Sequence, residues 1–255
     1  MTMNRDELYK TWKQEAEMAH IVGWDFSHIE GRYVEEELPW DYTQVIRKYL
    51  APDMMLMDMD TGGGEFLLSL AHPHCLTAAT EGYAPNVEYC REVLAPLGID
   101  FREVDGLEVL PFNDEAFDVV INRHGDYDVS ELHRILRPGG LFITQQVGAE
   151  NDRELVELLL DEGPDLPYPR QYLDLRVNEL LGAGFEVLES DETHRAIRFY
   201  DVGALVWFAG IIEWEFPGFE VDQSLDNLYK AQEILEKDGK IEGSIHRFYL
   251  VARKV

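Results

Sequence analysis

The sequence predicts an α/β fold: a mostly parallel, seven-stranded sheet with helices on both faces and a last strand that runs antiparallel. Three observations carry this. From Met54 onward, short apolar runs alternate with helical stretches, the β-α-β-α order that demands crossover connections. The first such run ends in a cluster of glycines. A late strand, an insertion and a terminal strand then suit an antiparallel edge added to a parallel sheet. The 255 residues are enough for one generous domain with a cap. The expected division is an N-terminal helical cap at 1–50 and a core at 51–255 with an insertion at about 201–242.

Residues 5–20 place Leu8, Trp12, Ala16 and Met18 or Ala19 near one helical face. An aromatic and acidic stretch follows, then a short helix over 43–50. MMLMDMD is the first strand of the core, and EFLLSLA begins a helix after TGGG. LTAATE is the second strand, followed by the helix PNVEYCREVLAPLG, closed by Gly98. IDFREVD and FDVVINRH are the third and fourth strands. VSELHRILRPGG reads as a helix stopped by its Pro-Gly-Gly, and LFITQQVG as the fifth strand. Beyond these, RQYLDLRVNELLGAGF is helical, FEVLESDETHRAIRF a strand, SLDNLYKAQEILEKDG helical and HRFYLVARKV the closing strand.

Composition narrows the function classes. Hydrophobic residues make up 45% of the chain, which excludes a disordered polymer. No run approaches the ~20 apolar residues of a membrane span, and the polar N-terminus has no signal-peptide core, so a cytoplasmic protein without a membrane partner is expected. Fifty acidic residues against 22 basic ones give a net charge of −28. Such a field repels phosphate backbones, so no nucleic-acid partner is expected. Cys75 and Cys90 sit in no metal-like spacing, and no metal site is expected.

Four motifs carry chemistry. In LMDMDTGGGEF, residues 56–66, glycines at a strand-to-helix turn let a ligand approach the backbone. The lysine of a phosphate loop is absent, which disfavours nucleotide hydrolysis. In ATEGY, Glu81 falls about 20 residues after the start of that turn, where α/β nucleotide sites place an acid on ribose hydroxyls. Gly82 and Tyr83 follow, the latter able to lay its ring on an adenine or simply to open a helix at the surface. Asp105, with Gly106, ends the third strand and would accept from an adenine amino group or cap a turn. Asn122, Arg123 and His124 lie at the carboxyl end of the fourth strand, where ligands sit in open sheets.

In order and spacing, these blocks resemble the class I, Rossmann-like S-adenosylmethionine-dependent methyltransferases over roughly Met54–Val147, and RPGG after FDVV separates them from dehydrogenases. The wider pattern, with GWDFS ahead of it, looks like a bacterial subgroup of uncharacterised methyltransferases. The resemblance implies methyl transfer with S-adenosyl-L-methionine as cofactor. It implies Asp58, Gly62 and Gly64 at the methionine end, Glu81 on the ribose and Asp105 near the adenine. One residue departs from the pattern: Asp60 stands where the family has its first loop glycine. An aspartate tolerates a left-handed backbone there at a cost of order 1 kcal/mol. Its carboxylate would favour the cationic sulfonium or crowd the cofactor's own carboxylate.

Methyl transfer needs proximity and electrostatics, and a general base only for a poor nucleophile. His124 is the candidate base, with Asn122 and Arg123 orienting a polar acceptor. Trp24, Trp40, Trp207 and Trp214 are candidates to wall an apolar acceptor pocket. The expected partner is a small-molecule acceptor, and the expected state a monomer or homodimer. Two other readings are a non-catalytic S-adenosylmethionine binder, motivated by Asp60, and a nucleotide-dependent oxidoreductase, disfavoured because Leu67 stands where GxGxxG needs glycine.

Overall fold

A computed structural model describes residues 4–20, 25–106, 109–160 and 163–255. The chain forms two compact units. One comprises 1–38, 149–169 and 194–246; the other comprises 39–148, 170–193 and 247–255. Residues 39–50, expected with the N-terminal cap, group with the sheet-bearing core instead.

The elements run α1 (Arg5–Glu17), β1 (Tyr33–Glu35), α2 (Tyr42–Tyr49), β2 (Leu56–Met59), α3 (Glu65–Ser69), β3 (Thr77–Glu81), α4 (Ala84–Val93) and β4 (Asp100–Glu103). There follow β5 (Phe117–Arg123), α5 (Val129–Ile135), β6 (Leu136–Val147), α6 (Arg153–Leu159), α7 (Leu173–Gly182), β7 (Phe185–Phe199), α8 (Val202–Ile211), α9 (Leu225–Asp238) and β8 (Ile241–Lys254). The strand order is β1-β7-β8-β6-β5-β2-β3-β4, so the sheet has eight strands rather than the expected seven. The extra strand is β1, a three-residue edge pairing antiparallel with β7.

In the second unit β4, β3, β2, β5 and β6 are parallel, and β8 closes antiparallel on β6. Strand alternation divides its core in two. Leu56, Ala79, Val119, Ile121 and Ile143 face α2, α3 and α4 through Ile46, Leu67 and Leu94. Met57, Met59, Ala78, Val120 and Phe142 face α5 and α7 through Leu132, Ile135 and Leu180. Both faces are thereby covered, as parallel sheets require. RPGG does not end a helix: α5 stops at Ile135, and Arg137–Gly140 form an irregularity within β6, where the register shifts against β5. Such a bulge accommodates Pro138 without a lost ladder bond.

The first unit is built around α8, whose residues from Val202 to Ala209 are all buried. A helix apolar on every side must be enclosed. Trp12, Ile29, Leu155, Phe199, Phe216 and Leu228 pack in the same cluster. Asp201 caps α8 by accepting from the Ala204 N–H at 2.8 Å, and Arg32 bridges Asp201 to Glu15. Among the described residues no helix is long and apolar enough to cross a membrane.

Candidate functional site

β2 pairs with β3 on one side and β5 on the other, so the sheet changes winding direction at β2 and opens a crevice at the carboxyl ends. The turn after β2 lies there. Asp60 adopts φ 60°, the left-handed backbone expected of a residue in a glycine's place. Gly62 follows at φ 63°, and a Cβ added to it would meet no heavy atom within 4 Å. Its open side leaves the backbone approachable. Gly64 differs, since a Cβ there would press on Leu94 at 2.8 Å. The turn is anchored by Thr61 N–H donating to the Thr80 carbonyl at 2.9 Å and by the Cys90 thiol on the Gly62 carbonyl at 3.0 Å.

Three carboxyl groups surround this turn. Glu81 accepts from the N–H groups of Gly62 at 2.7 Å, Gly82 at 2.9 Å and Tyr83 at 2.8 Å, with the Asn86 amide at 3.4 Å. Asp58 is buried and accepts from the Thr61 hydroxyl at 2.6 Å; burial pushes its pKa up to about 7. Asp60 is reached by solvent, yet the surrounding protein strips enough water to raise its pKa to about 6, helped by the charge of Glu81 and a hydrogen bond shared with it. The Asp60 side chain fills the space beside Gly125, where a Cβ would come within 2.5 Å of its Oδ2.

His124 ends β5 with φ 65°, a second non-glycine residue in the left-handed region at a strand end of this crevice. Its surface is accessible, but desolvation and the charges of Arg247 and Arg123 hold its pKa well below the usual imidazole range. The ring is therefore neutral at pH 7.

Comparison with known proteins places this arrangement. Residues 57–144 match the methyltransferase domain family. That stretch, about a third of the chain, is similar to a methyltransferase domain. A phthiotriol/phenolphthiotriol dimycocerosates methyltransferase of Mycobacterium tuberculosis is 35% identical over 88 residues, 32% of each chain. A fatty-acid O-methyltransferase of Mycolicibacterium smegmatis is 26% identical over 136 residues, covering 51% of this chain and 49% of that one. The matches thus span about a third to a half of these relatives' lengths. A solved Bacillus halodurans protein assigned as a methyltransferase superposes with a TM-score of 0.56 at 20% identity, over 84% of this chain and 98% of that one, which shows the fold.

Within the matched stretch, the turn residues Asp58, Asp60, Gly62 and Gly64 and the strand-end residues Glu81, Gly82 and Tyr83 come together. Tyr83 is 66% exposed at the start of α4, and Asp105 and Gly106 are exposed beyond β4. Asn122 is turned into the protein. It is fully buried, donates to the Met59 carbonyl at 3.1 Å and accepts from the Gln146 amide at 2.6 Å, so it locks the ends of β2, β5 and β6. Arg123 is exposed, its guanidinium over the Phe66 ring. Trp40 donates to Gln145 Oε1 at 2.9 Å and packs on Tyr249. Trp207 is buried in the other unit, stacked on His28 and donating to the Met18 carbonyl, so it serves that unit's core. Trp214 belongs to the same unit and is 42% exposed. Trp24 lies outside the described residues.

Sequence reasoning missed Thr61, Cys90, Gly125 and Gln146. Gln146 donates to Asn122, Thr144 and Gly125, while its own Oε1 is buried without a hydrogen-bond partner among the described residues. The alternation of FITQQV, which turns both Thr144 and Gln146 to one face, was the available signal.

Proposed function

We propose that this chain transfers a methyl group from S-adenosylmethionine to a small molecule with a largely apolar body. The observation that carries the reading is the open face of Gly62, ringed by Asp58, Asp60 and Glu81 at the sheet's switch point. These residues fit the donor: the turn admits close approach, and the carboxylates suit a ligand with an ammonium and a sulfonium. Bound S-adenosylmethionine would supply an electrophilic methyl group on a cationic sulfur.

The chain's residues would divide the work. Gly62 and Gly64 shape the turn at the methionine end, and Asp60 sets the charge beside it. Glu81 would hold the ribose, whose hydroxyls must replace one of its present donors; the 3.4 Å contact with Asn86 is the weakest of these. Tyr83 and Asp105 border the adenine end. His124 would accept the acceptor's proton, being already unprotonated at neutral pH.

The net charge of −28 supports a neutral or apolar acceptor over nucleic acid or an anionic membrane, and with it a cytoplasmic site of action. The names of the mycobacterial relatives support an oxygen on a lipid-like molecule. Incubation with donor labelled in the methyl group and fractionated cell extract tests this, and label in an organic-soluble product is the expected outcome. A second reading, a non-catalytic binder of the same cofactor, rests on Asp60 occupying the loop. Binding of S-adenosylhomocysteine with no labelled product from any fraction would favour it.

A further inference from the structure

Outside the cofactor turn, Glu150, His194 and His246 bring one carboxylate oxygen and two imidazole nitrogens within 4.8 Å of one another. All three belong to the first compact unit. Glu150 lies just past β6, His194 in β7 and His246 in β8. His246 is buried, and its Nδ1 accepts from the Glu150 backbone N–H at 3.2 Å. Its own backbone N–H donates to Asn151 Oδ1 at 3.1 Å. His194 Nε2 stands 3.1 Å from Glu150 Oε2, with 45% of its side chain exposed. Glu150 and His194 also line a cavity of about 300 Å³, with Arg153, Glu154, Glu157 and Ser244.

We infer that Glu150, His194 and His246 form a site for a divalent transition-metal ion of the zinc class, open to this cavity. Two imidazoles and one carboxylate suit zinc and its neighbours, whereas magnesium and calcium need oxygen donors. Ligand atoms about 2.1 Å from one zinc ion lie roughly 3.4 Å apart, so the present spread of up to 4.8 Å requires a contraction of up to about 1.4 Å. Three protein ligands leave at least one position for water, and the cavity is where that water would stand.

The rings of His194 and His246 now stack, with centroids 4.1 Å apart and 21° between planes. A metal ion lies in the plane of each ring that binds it, so the stack must open. His194 is the ring that turns, because it is the exposed one and its hydrogen bond runs to Glu150, a fellow ligand. His246 stays fixed and offers Nδ1, giving up a bond at the long end of the useful range. Glu154 and Glu157 add negative charge to the cavity wall. Arg153 is turned toward the Pro164 carbonyl and Glu157.

Calorimetric titration of the full chain, first stripped with a chelator, with zinc chloride tests the site. One zinc ion per chain is expected, with no stoichiometric binding of magnesium. His194→Ala and Glu150→Gln, both at exposed positions, should each weaken zinc by at least about tenfold, since even an outer-shell partner's loss does as much. His246→Gln should abolish binding, with circular dichroism reporting whether that buried variant folds. Absence of stoichiometric zinc binding in the unaltered chain would overturn the inference. So would His194→Ala and Glu150→Gln variants that bind as the unaltered chain does, because the acidic surface would then be the binder.

Discussion

The Glu81 carboxylate and the Gly62 backbone N–H lie 2.7 Å apart, joining the end of β3 to the turn after β2. With Gly82 and Tyr83 bonded to the other carboxylate oxygen, one side chain fixes the backbone of both loops that border the crevice. Glu81 therefore shapes the site before any ligand arrives. Glu81→Gln points an amide at N–H donors and leaves at least one of them unpaired, a loss of about 1–3 kcal/mol. Affinity for S-adenosylhomocysteine should fall by roughly five- to 150-fold, and calorimetry measures it.

Asp60 should make donor selectivity depend on pH. Its pKa of about 6 means that the carboxylate is mostly charged at pH 8 and mostly protonated at pH 5. A charged Asp60 attracts the cationic sulfonium and does nothing comparable for the neutral thioether of the product. The ratio of donor to product affinity should rise as pH climbs through 6, and in Asp60→Gly it should stay flat. Equal pH dependence in the two proteins would remove Asp60 from the account.

Asp58 should be a liability for stability in alkali. Its folded pKa, about 7, lies above the unfolded value near 3.9. Folding thus penalises the charged form. The stability linked to this group is complete below pH 4 and is lost as pH rises through 7. Asp58→Asn, which keeps an acceptor for the Thr61 hydroxyl, should stabilise the chain at pH 8 by on the order of 2 kcal/mol, and little at pH 4. Denaturant melts at the two pH values decide it.

His124 should affect turnover rather than donor binding. Asn tolerates the left-handed backbone, so His124→Asn keeps the strand end while removing the base. A loss of about 10²–10⁴ in kcat, with unchanged affinity for S-adenosylhomocysteine, is expected. Because the imidazole pKa is depressed by desolvation and by Arg247 and Arg123, the acid limb of the activity profile should lie below the usual histidine range.

What the sequence showed and what it hid follow from range. Strands β2, β3 and β5 and the glycine turn are local patterns of apolar residues and breakers, and they were legible. So was the backbone of Asp60, since a residue in a glycine's place inherits its φ. Strand β1 was hidden because three half-exposed residues show no periodicity, and the bulge at RPGG read as a helix stop because both use the same residues. Asn122 looked like a ligand-facing residue until burial placed it among Met59, Thr144 and Gln146, contacts that lie 22 to 63 residues away. Trp207 went the same way into a core. The grouping of Glu150, His194 and His246 depends on strand pairing alone, so no spacing announced it.

The central claim is that the turn around Gly62 and Glu81 binds S-adenosylmethionine, and titration with its product tests it most directly. Calorimetry with S-adenosylhomocysteine should show one site per chain, weakened in Glu81→Gln, while NAD gives no heat under the same conditions. Saturable binding of NAD, or no heat with S-adenosylhomocysteine for the unaltered protein, would contradict it.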